Sequence, residues 1–309
     1  MIKYTVAGVR ADARPIIKTL WEAIEEMYVS MKEMLEKANE NNYAVMAINC
    51  FNLETARTVI NAAQKSKAPV IVNIFKDHYL THCGSELIVP IVRTLAQKAS
   101  VNVALNLDHG QEEEYVIGAI DGGFSSVMID ASRFDIDKNI EITKRVTKYA
   151  HARGVSVEGE IGCLGASEGG EFTGEEMYTD PAQAKRFFAE TGIDALAVSI
   201  GTSHGNYPDG MVPEFDFDRL SEIKRLTNAP LVLHGGSGSG KDNILRSVKG
   251  GINKINVGCD FMNANRDATA EILKKNADIN YFELISEVQN ESEELVRYYI
   301  GLSGSEGKN

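Results

Sequence analysis

The sequence predicts a single α/β domain folded as a (β/α)8, or TIM, barrel, with an N-terminal extension and a helical C-terminal tail. Two observations carry this expectation. Eight short apolar runs of strand length recur along the chain, and helix-like segments separate them, the pattern of βαβ units around a parallel sheet. Eight is the strand number of the barrel. A chain of 309 residues, 43% hydrophobic and 25% charged, is ordinary globular material and long enough for one such domain.

The strand-like runs are Tyr43–Asn49, Pro69–Ile74, Val101–Leu107, Ser126–Asp130, Ser156–Glu160, Ala195–Ile200, Pro230–His234 and Ile252–Val257. Each is five to seven residues of apolar, often β-branched chain, too short for a stable helix. Helices are expected at Leu53–Lys65, Glu86–Ala99, Glu112–Asp121, Asp137–Ala152, Pro181–Thr191, Phe217–Leu226 and Asp242–Lys249. Thr179-Asp180-Pro181 sets a capping residue before a first-turn proline, and Gly192 follows where that helix should stop. Two segments stand outside the repeat. Residues 1–26 read as an extension with a short helix over Pro15–Met27, leaving 27–309 as the barrel. The stretch Ile161–Tyr178, rich in Gly, Ser and Glu, is long enough to be a lid.

The balance of 44 acidic against 32 basic residues, a formal charge of -12, disfavours a nucleic-acid or anionic-membrane partner. No run approaches the roughly 18 to 20 apolar residues of a membrane helix, and no apolar signal block opens the chain. A cytoplasmic location is therefore expected. Four cysteines without a C-x-x-C pair speak against a disulfide framework or a cysteine zinc site.

Barrel chemistry belongs at the C-terminal ends of the strands. Asn49, Asp108-His109, Asp130, Glu160, Gly201-Thr202-Ser203-His204-Gly205, His234-Gly235-Gly236-Ser237 and Asn256-Val257-Gly258-Cys259-Asp260 fall there. Three of the six histidines, His109, His204 and His234, are among them. A lone histidine after a strand is more often structural than metal-binding, but three together match the three-ligand, one-open-position geometry of a catalytic zinc. Asp130 and Glu160 are candidates for a fourth ligand or a second metal position. His78 and His82, near the second strand, and His151, late in a helix, are left out of the set. The stretch Gly235–Lys241 offers backbone N–H groups to a phosphate ahead of a helix, or is simply a flexible turn. Its spacing matches G-x-x-x-x-G-K, yet Asp242 stands where a nucleotide hydrolase needs Ser or Thr.

Six motifs in order, Leu107-Asp108-His109-Gly110, Val127-Met128-Ile129-Asp130, Val157-Glu158-Gly159-Glu160, Gly201-Thr202-Ser203-His204-Gly205, Leu233-His234-Gly235-Gly236-Ser237-Gly238 and Ile255-Asn256-Val257, together resemble the class II fructose-bisphosphate and tagatose-bisphosphate aldolases. The likeness runs from about Met27 to Lys308. It implies Zn2+ on His109, His204 and His234, Asp108 as proton shuttle at the cleaved hydroxyl, and Glu168 on a mobile loop moving the proton beside the ketone. Asn256 would steady the enediolate, and Asp130 with Glu160 would match an auxiliary metal position. A monovalent cation, Na+ or K+, often helps bind phosphate in such enzymes. Substrate contacts would fall on Asn49, Gly205, Gly235, Gly236, Ser237, Val257, Gly258 and Cys259. The expected partner is a sugar phosphate or related anionic ketose, and a homodimer or homotetramer is expected.

Three positions depart from that family's pattern: Pro208 where Lys is frequent, Cys259 where Thr commonly meets phosphate, and Phe75 where a small polar residue is usual. The compensating candidates are Lys76 and the backbone N–H groups of Gly205, Gly235, Ser237 and Gly258. The resemblance thus implies retained metal chemistry on an altered ketose. The alternatives are an accessory barrel subunit of an aldolase complex without catalysis of its own, and a zinc hydrolase.

Overall fold

The computed structural model describes residues 27–162, 178–202 and 212–309. Eight parallel strands close into a barrel in chain order, with β8 returning to pair with β1. They are β1 (Val45–Asn49), β2 (Val70–Phe75), β3 (Val103–Gly110), β4 (Ser126–Ile129), β5 (Ser156–Ile161), β6 (Ala195–Val198), β7 (Leu231–Leu233) and β8 (Ile252–Val257). All eight coincide with the apolar runs of the sequence. The largest difference is β3, which continues three residues past Leu107.

Helices between the strands lie close to their expected positions: α2 (Leu53–Ser66), α4 (Ser85–Ala96), α5 (Glu113–Asp121), α6 (Ile136–His151), α7 (Pro181–Thr191), α8 (Phe217–Thr227) and α9 (Lys241–Lys249). Their ends are built as the sequence suggests. Asn52 and Thr55 form a reciprocal capping box on α2, Asp180 caps α7 ahead of Pro181, and Gly192 closes α7 at φ +71°.

Four further helices had no assigned span in the sequence reading. In α1 (Met31–Asn41), Met31, Met34, Leu35 and Ala38 make one buried apolar stripe at helical spacing. That stripe closes the bottom of the barrel against Val45, Ala47, Ile71, Ala104, Ala195, Ala197 and Val232. The Met31 N–H, unsatisfied within its own helix, donates to Ser126 and Ser156 at the first positions of β4 and β5. The six-residue α3 (Lys76–Thr81) buries no side chain and so left no periodic signal. The C-terminal tail is two helices, α10 (Cys259–Lys275) and α11 (Tyr281–Ser303). Glu293 of α11 pairs with Lys65 of α2, and the last residues bond back to Ser66 and Asn102.

Residues of one parity point into the barrel. At the bottom and middle these are small or apolar, but the middle layer also holds Asn73, Asn106, Glu158 and Lys254, all 0% exposed. The upper layer carries Asn49, Phe75, Asp108, Asp130, Glu160 and Asn256, so polar side chains collect at the strand C-termini. One irregularity matters. The β3–β4 register shifts between Leu107 and Gly110, and His109 sits at φ +51° in the left-handed region. On a regular strand Asp108 and His109 would face opposite sides; this bulge brings both into the pocket.

Gly110 is part of that bulge. A Cβ there would lie 2.4 Å from Val116 Cγ2 and 2.7 Å from the Met128 carbonyl oxygen. Gly110→Ala is expected to destabilise the fold by about 1–3 kcal/mol through overpacking against backbone, read as a lower urea midpoint. An unchanged midpoint would show that the bulge tolerates a side chain.

Candidate metal and catalytic site

Two imidazoles meet at the centre of the upper layer. His109 Nε2 and His234 Nδ1 face each other at 2.9 Å, with the rings steeply inclined and their centroids 4.6 Å apart. Each ring turns its other nitrogen to a carboxylate: His109 Nδ1 is 3.1 Å from Asp130 Oδ2, and His234 Nε2 is 2.7 Å from Glu158 Oε1. A histidine that ligates a metal is held in this way, its outer nitrogen on an acceptor and its inner lone pair aimed at the ion. The donor set therefore fits a metal, and Asp108, His109 and His234 are close enough together to share one.

A second group shares His109. His109, Asp130 and Glu160 also lie within metal-sharing distance. Glu160 Oε2 is buried, makes no hydrogen bond among the described residues, and stands 4.0 Å from His109 Nδ1. Burial and the neighbouring Asp130 carboxylate push the Glu160 carboxyl well above its ordinary range. Burial works against a charged His109, yet Asp108, Asp130 and Glu160 outweigh it and raise the imidazole to about 9. His234 goes the other way. Burial lowers it below its ordinary value, more than the Glu158 contact restores. Burial would also raise Asp130, but His109 and Ser132 hold it below the usual carboxylate range.

Asp108 lies beside the histidine pair, 3% exposed, and its Oδ1 accepts from Asn256 Nδ2 at 3.0 Å. Asn256 Oδ1 in turn accepts from Lys254 Nζ at 2.7 Å. Below them Glu158 Oε2 and Lys254 Nζ form an ion pair of 2.7 Å across the barrel interior, both side chains 0% exposed. Glu158 and Lys254 were missed as site residues in the sequence. The signal was present: two opposite charges inside apolar strands, each two positions before an upper-layer residue on the same face.

The other expected contacts divide. Asn49 receives a hydrogen bond from Asn73, which receives one from Asn106, and the Asn49 amide packs where a Gly258 side chain would stand. Ser237 Oγ accepts from the Gly258 and Asp260 N–H groups, which sets serine and glycine side by side with those N–H groups engaged. The Gly236 N–H is occupied by the Asn256 carbonyl, and Gly235 turns the chain at φ +68°. Val257 is buried in the core beside Gly258, and Cys259 opens α10. Lys76 begins α3 and donates to Gln111 Oε1 at 2.9 Å. Phe75 ends β2 with its ring against His109, centroids 6.1 Å apart. His204, Gly205, Glu168 and Pro208 lie outside the described residues.

Residues 29–308 match the family model described as fructose-bisphosphate aldolase class-II. The chain is 41% identical over 255 residues to 6-phospho-5-dehydro-2-deoxy-D-gluconate aldolase of Bacillus licheniformis, covering 82% of this chain and 86% of that one. It is 40% identical over 253 residues to fructose-bisphosphate aldolase of Geobacillus stearothermophilus, covering 81% and 88%. The crystal structure of the YdjI aldolase from Escherichia coli K12 superposes with a TM-score of 0.81 at 33% identity, over 91% of this chain and 99% of that one. A closed eight-stranded barrel whose upper layer sets two carboxylate-backed histidines beside an aspartate thus accompanies likeness along nearly the whole chain, and the protein belongs to the class II fructose-bisphosphate aldolase family.

Proposed function

We propose that the protein is a cytoplasmic, zinc-dependent aldolase that reversibly cleaves a ketose phosphate to dihydroxyacetone phosphate and an aldehyde. The observation that carries the reading is the facing pair His109 Nε2 and His234 Nδ1, each backed by a carboxylate, with Asp108 alongside. Their third partner in this reading is His204. When bound, the zinc acts as a Lewis acid on the charge that develops beside the ketone. Asp108 exchanges the proton of the cleaved hydroxyl and is kept in place by the Asn256 amide. Asn256 Nδ2 lies between Asp108 and His234, and its role in this reading is to steady the oxygen where negative charge grows. Glu168 moves the proton at the carbon next to the ketone. Asp130 and Glu160 orient His109 or take an auxiliary ion, and a monovalent cation assists at the phosphate. The chain works as a homodimer or homotetramer.

The wall of the pocket beside His109 and Asp108 is aromatic at Phe75. A ring at Phe75 offers no hydrogen bond, so the group next to the Asp108 end of the substrate meets an aromatic edge rather than a hydroxyl. From Phe75 together with Pro208 and Cys259 we assign a ketose other than fructose 1,6-bisphosphate, one with a single phosphate, another anionic group or an uncommon aldehyde half. The test measures dihydroxyacetone phosphate release from a panel of phosphorylated ketoses, before and after chelation and zinc return. Zinc-dependent release from a member other than fructose 1,6-bisphosphate is expected, and an ordinary rate on that sugar would overturn the substrate assignment. No release from any member, alone or with an added subunit, would favour an accessory role. Phe75→Ser is expected to raise kcat/KM on fructose 1,6-bisphosphate by about tenfold, the worth of one recovered hydrogen bond.

Zinc binding should depend on pH with a definite sign. The raised His109 stabilises the metal-free protein at low pH, and this is lost as pH rises through about 9. Zinc needs the neutral ring, so its affinity should rise about tenfold per unit between about pH 7 and 9 and then level off. Competition against a chromophoric chelator reads this; a flat profile would mean that His109 has no proton to lose.

A further inference from the structure

We infer that Lys254 is a positioning residue that holds the Asn256 amide in the one orientation presenting its NH2 group to the reacting end of the pocket. The ammonium can only donate, so the side-chain atom of Asn256 that faces it at 2.7 Å has to be Oδ1. Nδ2 is then forced upward, 3.0 Å from Asp108 Oδ1 and 3.5 Å from His234 Nδ1. A flipped amide would set NH2 against the ammonium and a carbonyl oxygen against the Asp108 carboxylate, two repulsions in place of two hydrogen bonds.

The position of the lysine follows from the strand. Residues 254 and 256 of β8 share the inward face, so Nζ lies directly beneath the amide. A lysine with 0% exposure is costly unless its charge is met, and Glu158 meets it at 2.7 Å from across the barrel. Glu158 uses its other oxygen on His234 Nε2. One sealed ion pair thereby sets two groups above it, the imidazole through its glutamate and the amide through its lysine. What Asn256 does once oriented rests on the aldolase reading; its orientation does not.

The test uses the full chain with 15N-labelled asparagine, the Asn256 side-chain signal being assigned by its loss in Asn256→Ala. Lys254→Met with Glu158→Gln keeps the buried pair neutral and leaves His234 an acceptor. In zinc-free protein this double change is expected to shift the Asn256 amide signals further than Glu158→Gln alone, in which Lys254 Nζ still faces Oδ1. At full zinc occupancy the double change should lower kcat about 10- to 100-fold, but less than about 3-fold when Asn256 is already alanine. An unmoved amide signal, or equal losses in both backgrounds, overturns the assignment. Should the methionine variant not fold, Lys254→Gln with Glu158→Gln carries the same expectations. Solvent deuterium exchange into dihydroxyacetone phosphate by the wild type reports the first half-reaction without any aldehyde. Its absence would sink the aldolase reading and leave the amide result standing by itself.

Discussion

Asp108→Ala is expected to lower kcat by about 10³-fold while zinc content and the urea midpoint stay near wild type. The carboxylate accepts a hydrogen bond from the Asn256 amide, and the two described imidazoles keep their own carboxylates when it is removed. In the proposed reaction the substitution removes the group that exchanges the proton of the cleaved hydroxyl, and general acid–base catalysis of this kind contributes about 10²- to 10⁴-fold, or roughly 3–5 kcal/mol of barrier. Asp108→Asn should fall nearly as far, since it keeps the Asn256 contact but carries no exchangeable acid. Steady-state cleavage with metal analysis on the same samples checks this. Turnover within tenfold of wild type would remove Asp108 from the chemistry and leave it an orienting role.

The second large effect is on stability. Glu158→Leu strands Lys254 without a counter-charge and His234 without its acceptor, all in the sealed interior. Breaking one side of a buried pair costs about 3–5 kcal/mol, because the remaining charge stays buried. Adding Lys254→Met to that variant should recover most of the loss, since an apolar pair of similar size satisfies the barrel core. Urea unfolding of the two variants decides it. Equal midpoints for wild type and Glu158→Leu would show that water or a rearranged carboxylate replaces Glu158 at little cost.

Much of the architecture was legible in local pattern. Runs such as Ile252–Val257 and caps such as Asp180-Pro181 are short-range signals, and the strands and helices appear where those signals lie. The stripe Met31, Met34, Leu35, Ala38 was equally periodic, but its helix closes the barrel from below rather than joining a βαβ unit, so the repeat did not reveal it. For the site, strand position and motif order singled out Asp108, His109, His234 and Asn256, and the structure brings these four together.

By itself the sequence determined the eight strands, through periodicity within about ten residues, and the gathering of His, Asp, Glu and Asn at their C-terminal ends. The tertiary structure alone decided which side chains touch. Alternation along β3 would have sent Asp108 and His109 to opposite faces, and only the bulge at His109, paired irregularly with β4, turns both inward. Glu158 and Lys254 are nearly a hundred residues apart and sit on strands that are not neighbours, so their contact exists only once the sheet has closed. Burial then gives that contact its importance: in water the two charges would matter little, while inside the barrel they must pair, and in pairing they aim the histidine and the asparagine above them.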